Sequence, residues 1–121
     1  MGRAVGNAFE GMAVQYLQAQ GAEILERNYA ALGAEIDIIC RLDGTLVFVE
    51  VKARLSPGGP APGEEITPAK QRNICRAAAA YLHGHGGFDQ MCRFDAILIR
   101  DGEIEWVQSA FDYQAGSFRR K

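Results

Sequence analysis

Two segments rich in isoleucine and valine, residues 35–40 and 45–53, are joined through the dipeptide Asp43-Gly44. Isoleucine and valine favour β-strands. An Asp-Gly pair between two such runs favours a tight two-residue hairpin turn. The sequence therefore predicts two antiparallel strands in direct contact, and this hairpin limits the folds that the rest of the chain can complete.

The turn also predicts the register of the hairpin. Counting outward from Leu42 opposite Thr45 places Asp37 opposite Glu50. Opposed residues share a face of the sheet, with Cβ atoms about 4.5–5.5 Å apart. Two carboxylates at that distance repel each other, so we expect a cation between them, and a divalent metal ion bound by oxygen would serve. A β-bulge would shift this register.

The strand at 45–53 has two different faces, because successive side chains point to opposite sides. Glu50 and Lys52 share one face, and we expect the valine-rich face to pack under a helix. Asp37 lies within an apolar stretch, where an unpaired buried carboxylate is costly. A surface salt-bridge network is an equally open interpretation of these three residues, since Glu-x-Lys pairs are common on exposed strands.

The remaining chain alternates helix and strand signals, which predicts one α/β domain over residues 1–121 with a mixed β-sheet flanked by helices. A connection containing a helix is long enough to make the strands beginning at 45 and 92 parallel. The further predicted elements are a helix over 3–20 ended by Gly21, a strand over 22–29, a helix over 67–82 capped by Thr67, strands over 92–100 and 103–107, a mobile loop over 55–65 and a flexible tail over 116–121.

Glu10 lies at the border of the apolar stripe of the first helix, one turn after Gly6. Taken alone, it is an ordinary solvated helix residue. A helix packed over the hairpin could bring its carboxylate close to Asp37 and Glu50, which would make a three-carboxylate site.

Charge gives a weaker indication of a partner. With 13 basic and 15 acidic residues and a pI near 5.7, the chain lacks the overall positive charge typical of nucleic-acid-binding proteins. Basic residues nevertheless outnumber acidic ones between residues 52 and 100. Arg54, Lys70, Arg72 and Arg76 could contact backbone phosphates without base specificity, or could form an ordinary solvated helix face.

Several residues are predicted to be structural. Three cysteines in apolar segments indicate reduced core thiols, since their number is odd and their spacing wide. His83 and His85, in a glycine-rich turn, are expected to be loop residues. The three cysteines are Cys40, Cys75 and Cys92. The aromatic residues Trp106 and Phe111 are expected to lie in the core or in a dimer contact.

The chain also lacks a signal-peptide pattern and an apolar run of about 20 residues, which predicts a soluble cytoplasmic protein that does not enter a membrane.

With these residues identified, the sequence resembles the YraN family of small bacterial endonuclease-like proteins, which is similar to the archaeal Holliday junction resolvases. The resemblance covers most of the chain. The Phe-Val-Glu-Val-Lys-x-Arg run after Glu-Ile-Asp is fairly specific. The matching stretches are 6–17 with Glu10, Asn28, 34–39, 46–54, Lys70, 80–82, 93–95 and 110–111.

The resemblance implies a restriction-endonuclease-like fold with a PD-D/ExK metal site. In that site Asp37 and Glu50 bind Mg²⁺ or Mn²⁺, Lys52 orients or activates the attacking water, and Glu10 completes the site. Ala34 stands where such families usually have glycine, as does the Ala8-Phe9 pair before the helical glutamate. These changes affect local backbone fit and leave every proposed ligand in place.

The implied function is metal-dependent hydrolysis of phosphodiester bonds in DNA, with branched or junction DNA as candidate substrates and a homodimer as the implied assembly. From its neighbouring carboxylates alone, Lys52 is expected to stay protonated and to act electrostatically. The alternative is an inactive module with the same fold that binds nucleic acid or a partner protein, since fold alone does not establish activity.

Overall fold

The computed structural model describes residues 2–54 and 66–113, and the side chains of 8–53 and 66–113. The predicted mobile loop and flexible tail therefore lie outside the described residues. The described part contains α1 (Gly2–Ala19), β1 (Glu23–Ala31), β2 (Ala34–Leu42), β3 (Thr45–Arg54), α2 (Pro68–Gly84), β4 (Cys92–Arg100) and β5 (Glu103–Phe111).

The five strands form one sheet in the order β1-β2-β3-β4-β5. β3 and β4 pair in parallel and every other neighbouring pair is antiparallel. The predicted α/β fold with a mixed sheet and a parallel β3–β4 pair is therefore confirmed. The hairpin turn is also as predicted, since Asp43 and Gly44 have φ values of 52° and 80° and Leu42 pairs with Thr45.

The two helices cover opposite faces of the sheet. Ala13 and Leu17 of α1 pack in one apolar cluster with Val47 and Val49 of β3. The other cluster lies between α2 and the opposite face of β3, where Leu46 and Phe48 point. The α2 residues in this cluster are Ile74, Cys75, Ala77, Ala78, Tyr81 and Leu82. The prediction that the valine face of β3 packs under a helix is confirmed.

β1 and β5 continue beyond their predicted ends because local irregularities interrupt the sequence pattern without ending the strand. Asn28 adopts a positive φ of 54° within β1, and pairing with β2 continues to Ala31. In β5, Ser109 has a φ of 53°. The register between β4 and β5 shifts near this residue, and pairing resumes between Phe94 and Phe111.

Two structural predictions need correction. Cys92 is exposed, whereas Cys40 and Cys75 are buried as expected. His83 is helical, because α2 continues to Gly84.

The exposure of Cys92 follows from its place as the first residue of β4.

Helix α2 ends later than predicted because the glycines with a left-handed backbone lie beyond it, at Gly86 and Gly87 with φ values of 102° and 84°. His85 caps the helix through its backbone N–H, which donates to the carbonyl of Leu82, and stacks on the ring of Tyr81.

Trp106 and Phe111 are half-buried and pack within the chain, Trp106 in an edge contact with Tyr16 and Phe111 stacked on Phe94. Neither described helix is long and apolar enough to cross a membrane.

Candidate functional site

The candidate site lies where β2 and β3 separate. Their pairing runs from Leu42 and Thr45 only as far as Ile38 and Val49, one pair short of the predicted opposition of Asp37 and Glu50. Instead, the Oδ2 atom of Asp37 accepts a hydrogen bond of 2.8 Å from the backbone N–H of Val51. Since a strand's N–H lies in the plane of the sheet, the Asp37 carboxylate occupies the gap between the two strands.

This gap opens into a cavity of about 210 Å³. A water molecule occupies about 30 Å³ in the liquid, so the cavity could hold a hydrated ion. Although α1 and α2 lie on opposite faces of the sheet, both contribute to its walls. The lining residues are Phe9, Glu10, Asp37, Glu50, Val51, Lys52, Ala53 and Lys70. The structure thus brings the four predicted catalytic residues together.

Glu50 is buried, with 5% of its surface exposed. Its Oε2 atom lies 2.8 Å from the Nζ atom of Lys70, whereas its buried Oε1 atom has no hydrogen-bond partner among the described residues. Burial, and next the charge of Asp37, raise the pKa of Glu50 to about 7, although Lys70 and Lys52 oppose the shift. The carboxylate is therefore close to its protonation midpoint at neutral pH.

Glu10 is half-buried and reaches the cavity from α1. Burial and then the charge of Asp37 raise its pKa, and a hydrogen bond with the Asn28 side chain acts in the opposite direction. Its Oε1 atom is also buried without a partner among the residues described. Glu10 and Glu50 thus both line the cavity, and each has one buried carboxylate oxygen without a partner among the described residues.

Two lysines complete the polar surface of the cavity. Burial and then the neighbouring ammonium of Lys70 lower the pKa of Lys52, which outweighs the opposite effect of Glu50 and Asp37. The two carboxylates act in the direction that sequence analysis expected, but burial and Lys70 outweigh them. That Lys52 stays protonated remains a prediction. Burial also acts to lower the pKa of Lys70, but the hydrogen bond and charge of Glu50 outweigh it, so that this pKa is raised.

The four basic residues that sequence analysis grouped together have different surroundings. Lys70 lies in the cavity against Glu50. Arg72 is exposed, and Arg76 is half-buried and donates a hydrogen bond of 2.8 Å to Asn73. The Arg54 side chain lies outside the described side chains, so its phosphate contact stays a prediction.

Sequence analysis gave Asn28 no role and did not assign Lys70 to the carboxylates. Asn28 had one local signal, since asparagine is among the few residues that readily adopt a positive φ within a strand-like segment. Lys70 had no local signal beyond its match to the family, because its contact with Glu50 depends on how α2 packs against β3.

The donor set fits Mg²⁺ or Mn²⁺ in chemical type, because both are bound by carboxylate oxygen and water. Among residues 2–54 and 66–113, no group of three or more His, Cys, Asp or Glu side chains is arranged to hold a metal ion. A cation here would therefore be held by Asp37 and Glu50 and by water. Mg²⁺ is often bound in this way, through one or two carboxylates while it retains several waters.

Fold and site together define the class: an α/β protein with a five-stranded mixed sheet, in which a gap between two central strands collects carboxylates and lysines from both faces. Within that class, the chain belongs to the Uncharacterised protein family UPF0102, whose model matches residues 9–99. UPF0102 is the YraN family, so the resemblance found in the sequence is confirmed.

Similar proteins occur in several bacteria and carry the same family name. A UPF0102 protein of Ralstonia nicotianae is 46% identical over 118 residues, which cover 93% of this chain and 89% of the relative. A UPF0102 protein of Nitrosomonas europaea is 47% identical over 110 residues, covering 88% and 92%. A UPF0102 protein of Chlorobaculum parvum is 44% identical over 117 residues, covering 88% and 91%.

Proposed function

We propose that this protein is a metal-dependent endonuclease that hydrolyses phosphodiester bonds in DNA. The observation that carries the proposal is the state of Glu50. Its carboxylate is 5% exposed and one of its oxygens is buried without a hydrogen-bond partner among the described residues. Glu50 lines a cavity together with Asp37, Glu10 and Lys52. Because a buried, unsatisfied carboxylate oxygen is costly, the arrangement is best explained by a cationic ligand.

In this proposal Asp37 and Glu50 hold Mg²⁺ or Mn²⁺, which would polarise the scissile phosphate and lower the pKa of a bound water. Glu10 supplies a third carboxylate from α1, acting on the metal or on its water shell. Its hydrogen bond with Asn28 limits the movement of that carboxylate. These three residues come from different elements, so the site depends on the complete fold.

Lys52 lies beside the carboxylates and would contact the phosphate or the attacking water. Because its pKa is lowered by burial and by Lys70, Lys52 loses its proton more readily than an exposed lysine. It is therefore suited either to orient the water or to accept a proton from it. In its protonated form, it would instead offset negative charge that develops on the phosphoryl oxygens.

The substrate has a plausible approach from the α2 side. A second cavity, of about 470 Å³, lies between the β1–β2 turn and the N-terminal end of α2, and shares Asp37, Glu50 and Lys70 with the first. Arg72 is exposed on α2 and could contact backbone phosphates. Such contacts carry no sequence information, so we propose recognition of DNA structure, with branched or junction DNA as the first candidates. A cytoplasmic location and a homodimer are further proposals.

The test uses purified protein and labelled single-stranded, duplex, flap and four-way DNA, with and without Mg²⁺ or Mn²⁺. We expect cleavage that requires the metal and falls by at least about 100-fold in Glu50→Ala and in Lys52→Ala, since such residues act on the reacting groups. Glu23→Ala is the matched control, because Glu23 is exposed on β1 and lies outside both cavities at the site. Cleavage that persists in Glu50→Ala would contradict the proposal.

A second candidate function is an inactive nuclease-fold module that binds nucleic acid. One observation favours it: the ammonium of Lys70 already neutralises the Oε2 side of Glu50 at 2.8 Å, so the site is partly compensated without a metal. This candidate predicts that the protein shifts the mobility of branched DNA in a gel and leaves the DNA intact with each metal tested.

A further inference from the structure

Lys70 occupies an unusual position for a lysine. Thr67 caps α2, and its side chain accepts a hydrogen bond of 3.2 Å from the backbone N–H of Lys70. Lys70 therefore lies in the first turn of the helix, where the partial positive charge of the helix N-terminus disfavours a cation. The first turn of α2 contains no acidic residue to compensate. The partner that offsets this charge is Glu50, which belongs to β3.

The backbone that carries Lys70 is held in place. Its N–H is bound by the Thr67 cap, and the next residue, Gln71, donates from its side chain to the carbonyl of the buried Ile66. Since the start of the helix is fixed at these points, Lys70 extends from a fixed anchor to Glu50, where its ammonium lies 2.8 Å from Oε2. It is suited to hold another side chain in one orientation.

Lys70 contacts one oxygen of Glu50 and leaves the other oxygen available. A carboxylate is planar, so fixing Oε2 on the Lys70 side restricts the direction in which Oε1 points. Oε1 is buried without a partner among the described residues, and Glu50 lines the same cavity as Asp37 and Glu10. Without Lys70, the Glu50 side chain could rotate away from Asp37 to reduce the repulsion between the two carboxylates.

We propose that Lys70 is a positioning residue that directs the unpartnered oxygen of Glu50 toward the cation shared with Asp37. This inference rests on the proposed function, because it takes a divalent cation as the ligand. In this proposal Lys70 acts on the metal indirectly, by orienting Glu50. Sequence analysis had instead proposed that Lys70 contacts a phosphate of the nucleic acid. Residues that orient metal ligands typically change metal affinity by about 10- to 100-fold when they are removed.

The test is isothermal titration calorimetry with MgCl₂ and with MnCl₂ on the full chain. We expect Lys70→Ala to bind the metal at least about 10-fold more weakly than the wild type, and Lys70→Arg, which keeps a cationic donor, to recover most of that affinity. Arg100→Ala is the control, since Arg100 is a basic residue at the end of β4 that lies outside both cavities at the site, and its metal affinity should not change. Circular dichroism melts check that each variant folds.

Two outcomes would overturn the inference. If Lys70 only occupies the place of the metal, Lys70→Ala will bind the metal as tightly as the wild type or more tightly. If Lys70 only keeps Glu50 ionised, the loss measured at about pH 8 will disappear at about pH 9. A loss that persists at both pH values supports positioning.

The two proposals can fail separately. A wild type that binds metal more tightly than Lys70→Ala but leaves every DNA intact supports positioning and contradicts the endonuclease. A metal-dependent endonuclease whose metal affinity is unchanged in Lys70→Ala contradicts positioning alone. A wild type that binds neither metal contradicts both.

Discussion

Glu50 combines burial, a like-charged neighbour and an incomplete set of hydrogen bonds. Burial and the charge of Asp37 both disfavour its ionised form, and together they raise its pKa to about 7 from the ordinary value of 4.5. Lys70 and Lys52 compensate only part of this effect. Strongly shifted carboxyl groups in a cavity are typical of functional sites. At the scale of the residue, Glu50 is therefore where the fold carries an electrostatic cost that a ligand could relieve.

The pH dependence of stability should reveal this cost. Because the pKa of Glu50 is higher in the folded protein than in the unfolded chain, the folded protein binds the proton more tightly, and the stabilisation is complete below about pH 4.5. It is lost as the pH rises toward about 7. We expect the free energy of unfolding of the wild type to fall relative to Glu50→Gln by on the order of 3 kcal/mol across this window in metal-free buffer.

Urea unfolding at intervals from about pH 4 to pH 8 would measure that difference. Glu23→Gln removes an exposed carboxyl group from β1 and should follow the wild type at every pH. A constant difference between the wild type and Glu50→Gln would show that Glu50 titrates normally in the folded protein.

The residues of the site differ in how far the sequence could predict them. Asp37 and Glu50 could be brought together from the sequence because one short turn relates them, although their backbone pairing ends one step earlier than predicted. Asn28 and Lys70 could not, since their contacts with Glu10 and Glu50 depend on how a helix packs on the sheet, which no turn in the sequence determines. Their effect on pKa values also escaped the sequence argument, because burial and distance are properties of the fold.

At the scale of the element, Asp95 holds the irregular part of the β4–β5 pair together. It is fully buried and accepts hydrogen bonds from the Nε atom of Arg93, the Nε1 atom of Trp106 and the backbone N–H of Ser109. The register shift between β4 and β5 flanks this residue. The carboxylate thus satisfies the donors that the irregularity leaves without strand partners, and β5 can continue to Phe111.

Replacing Asp95 should therefore destabilise the sheet strongly. We expect Asp95→Ala to lower the free energy of unfolding by about 2–4 kcal/mol, because it leaves a partly buried guanidinium and two partly buried N–H donors unpaired. Asp95→Asn keeps one acceptor oxygen and should cost less. Urea unfolding followed by circular dichroism would measure both, with Glu105→Ala as the control at an exposed position of β5. A loss below about 1 kcal/mol in Asp95→Ala would contradict this role.

The ends of β1 and β5 show why element boundaries were harder to predict than element types. Both strands contain a residue with positive φ, Asn28 in β1 and Ser109 in β5, which breaks the alternation of buried and exposed positions. The backbone N–H of Ser109 is compensated by Asp95 of β4, and the side chain of Asn28 bonds Glu10 of α1. A single sequence does not reveal such compensation.

At the scale of the whole molecule, the two described helices lie on opposite faces of the sheet, and both reach the gap between β2 and β3. The apolar clusters under α1 and α2 are distinct, yet Glu10 from α1 and Lys70 from α2 line one cavity. The order of elements and the parallel β3–β4 pair followed from the sequence. The gap did not, because it depends on the Asp37 carboxylate bonding the Val51 N–H in place of a backbone carbonyl.

A cation bound in this gap should stabilise the whole fold, because it would reduce the repulsion among carboxylates contributed by α1, β2 and β3. At a metal concentration about ten times the dissociation constant, the added free energy of unfolding is about 1.4 kcal/mol. The gain should be larger near pH 8 than near pH 5.5, since the proton on Glu50, whose pKa is about 7, competes with the metal.

Thermal melts with Mg²⁺ or Mn²⁺ at both pH values would measure this gain, against NaCl at matched ionic strength. The gain should vanish in Asp37→Asn and Glu50→Gln and persist in Glu23→Gln, whose exposed carboxyl group lies outside the cavity. An equal gain in NaCl would reduce the effect to general screening of charge. If the gain survives in Glu50→Gln, the cation binds elsewhere on the molecule. A cation that contacts the Glu50 carboxylate would lose most of its stabilising effect when that carboxylate is removed.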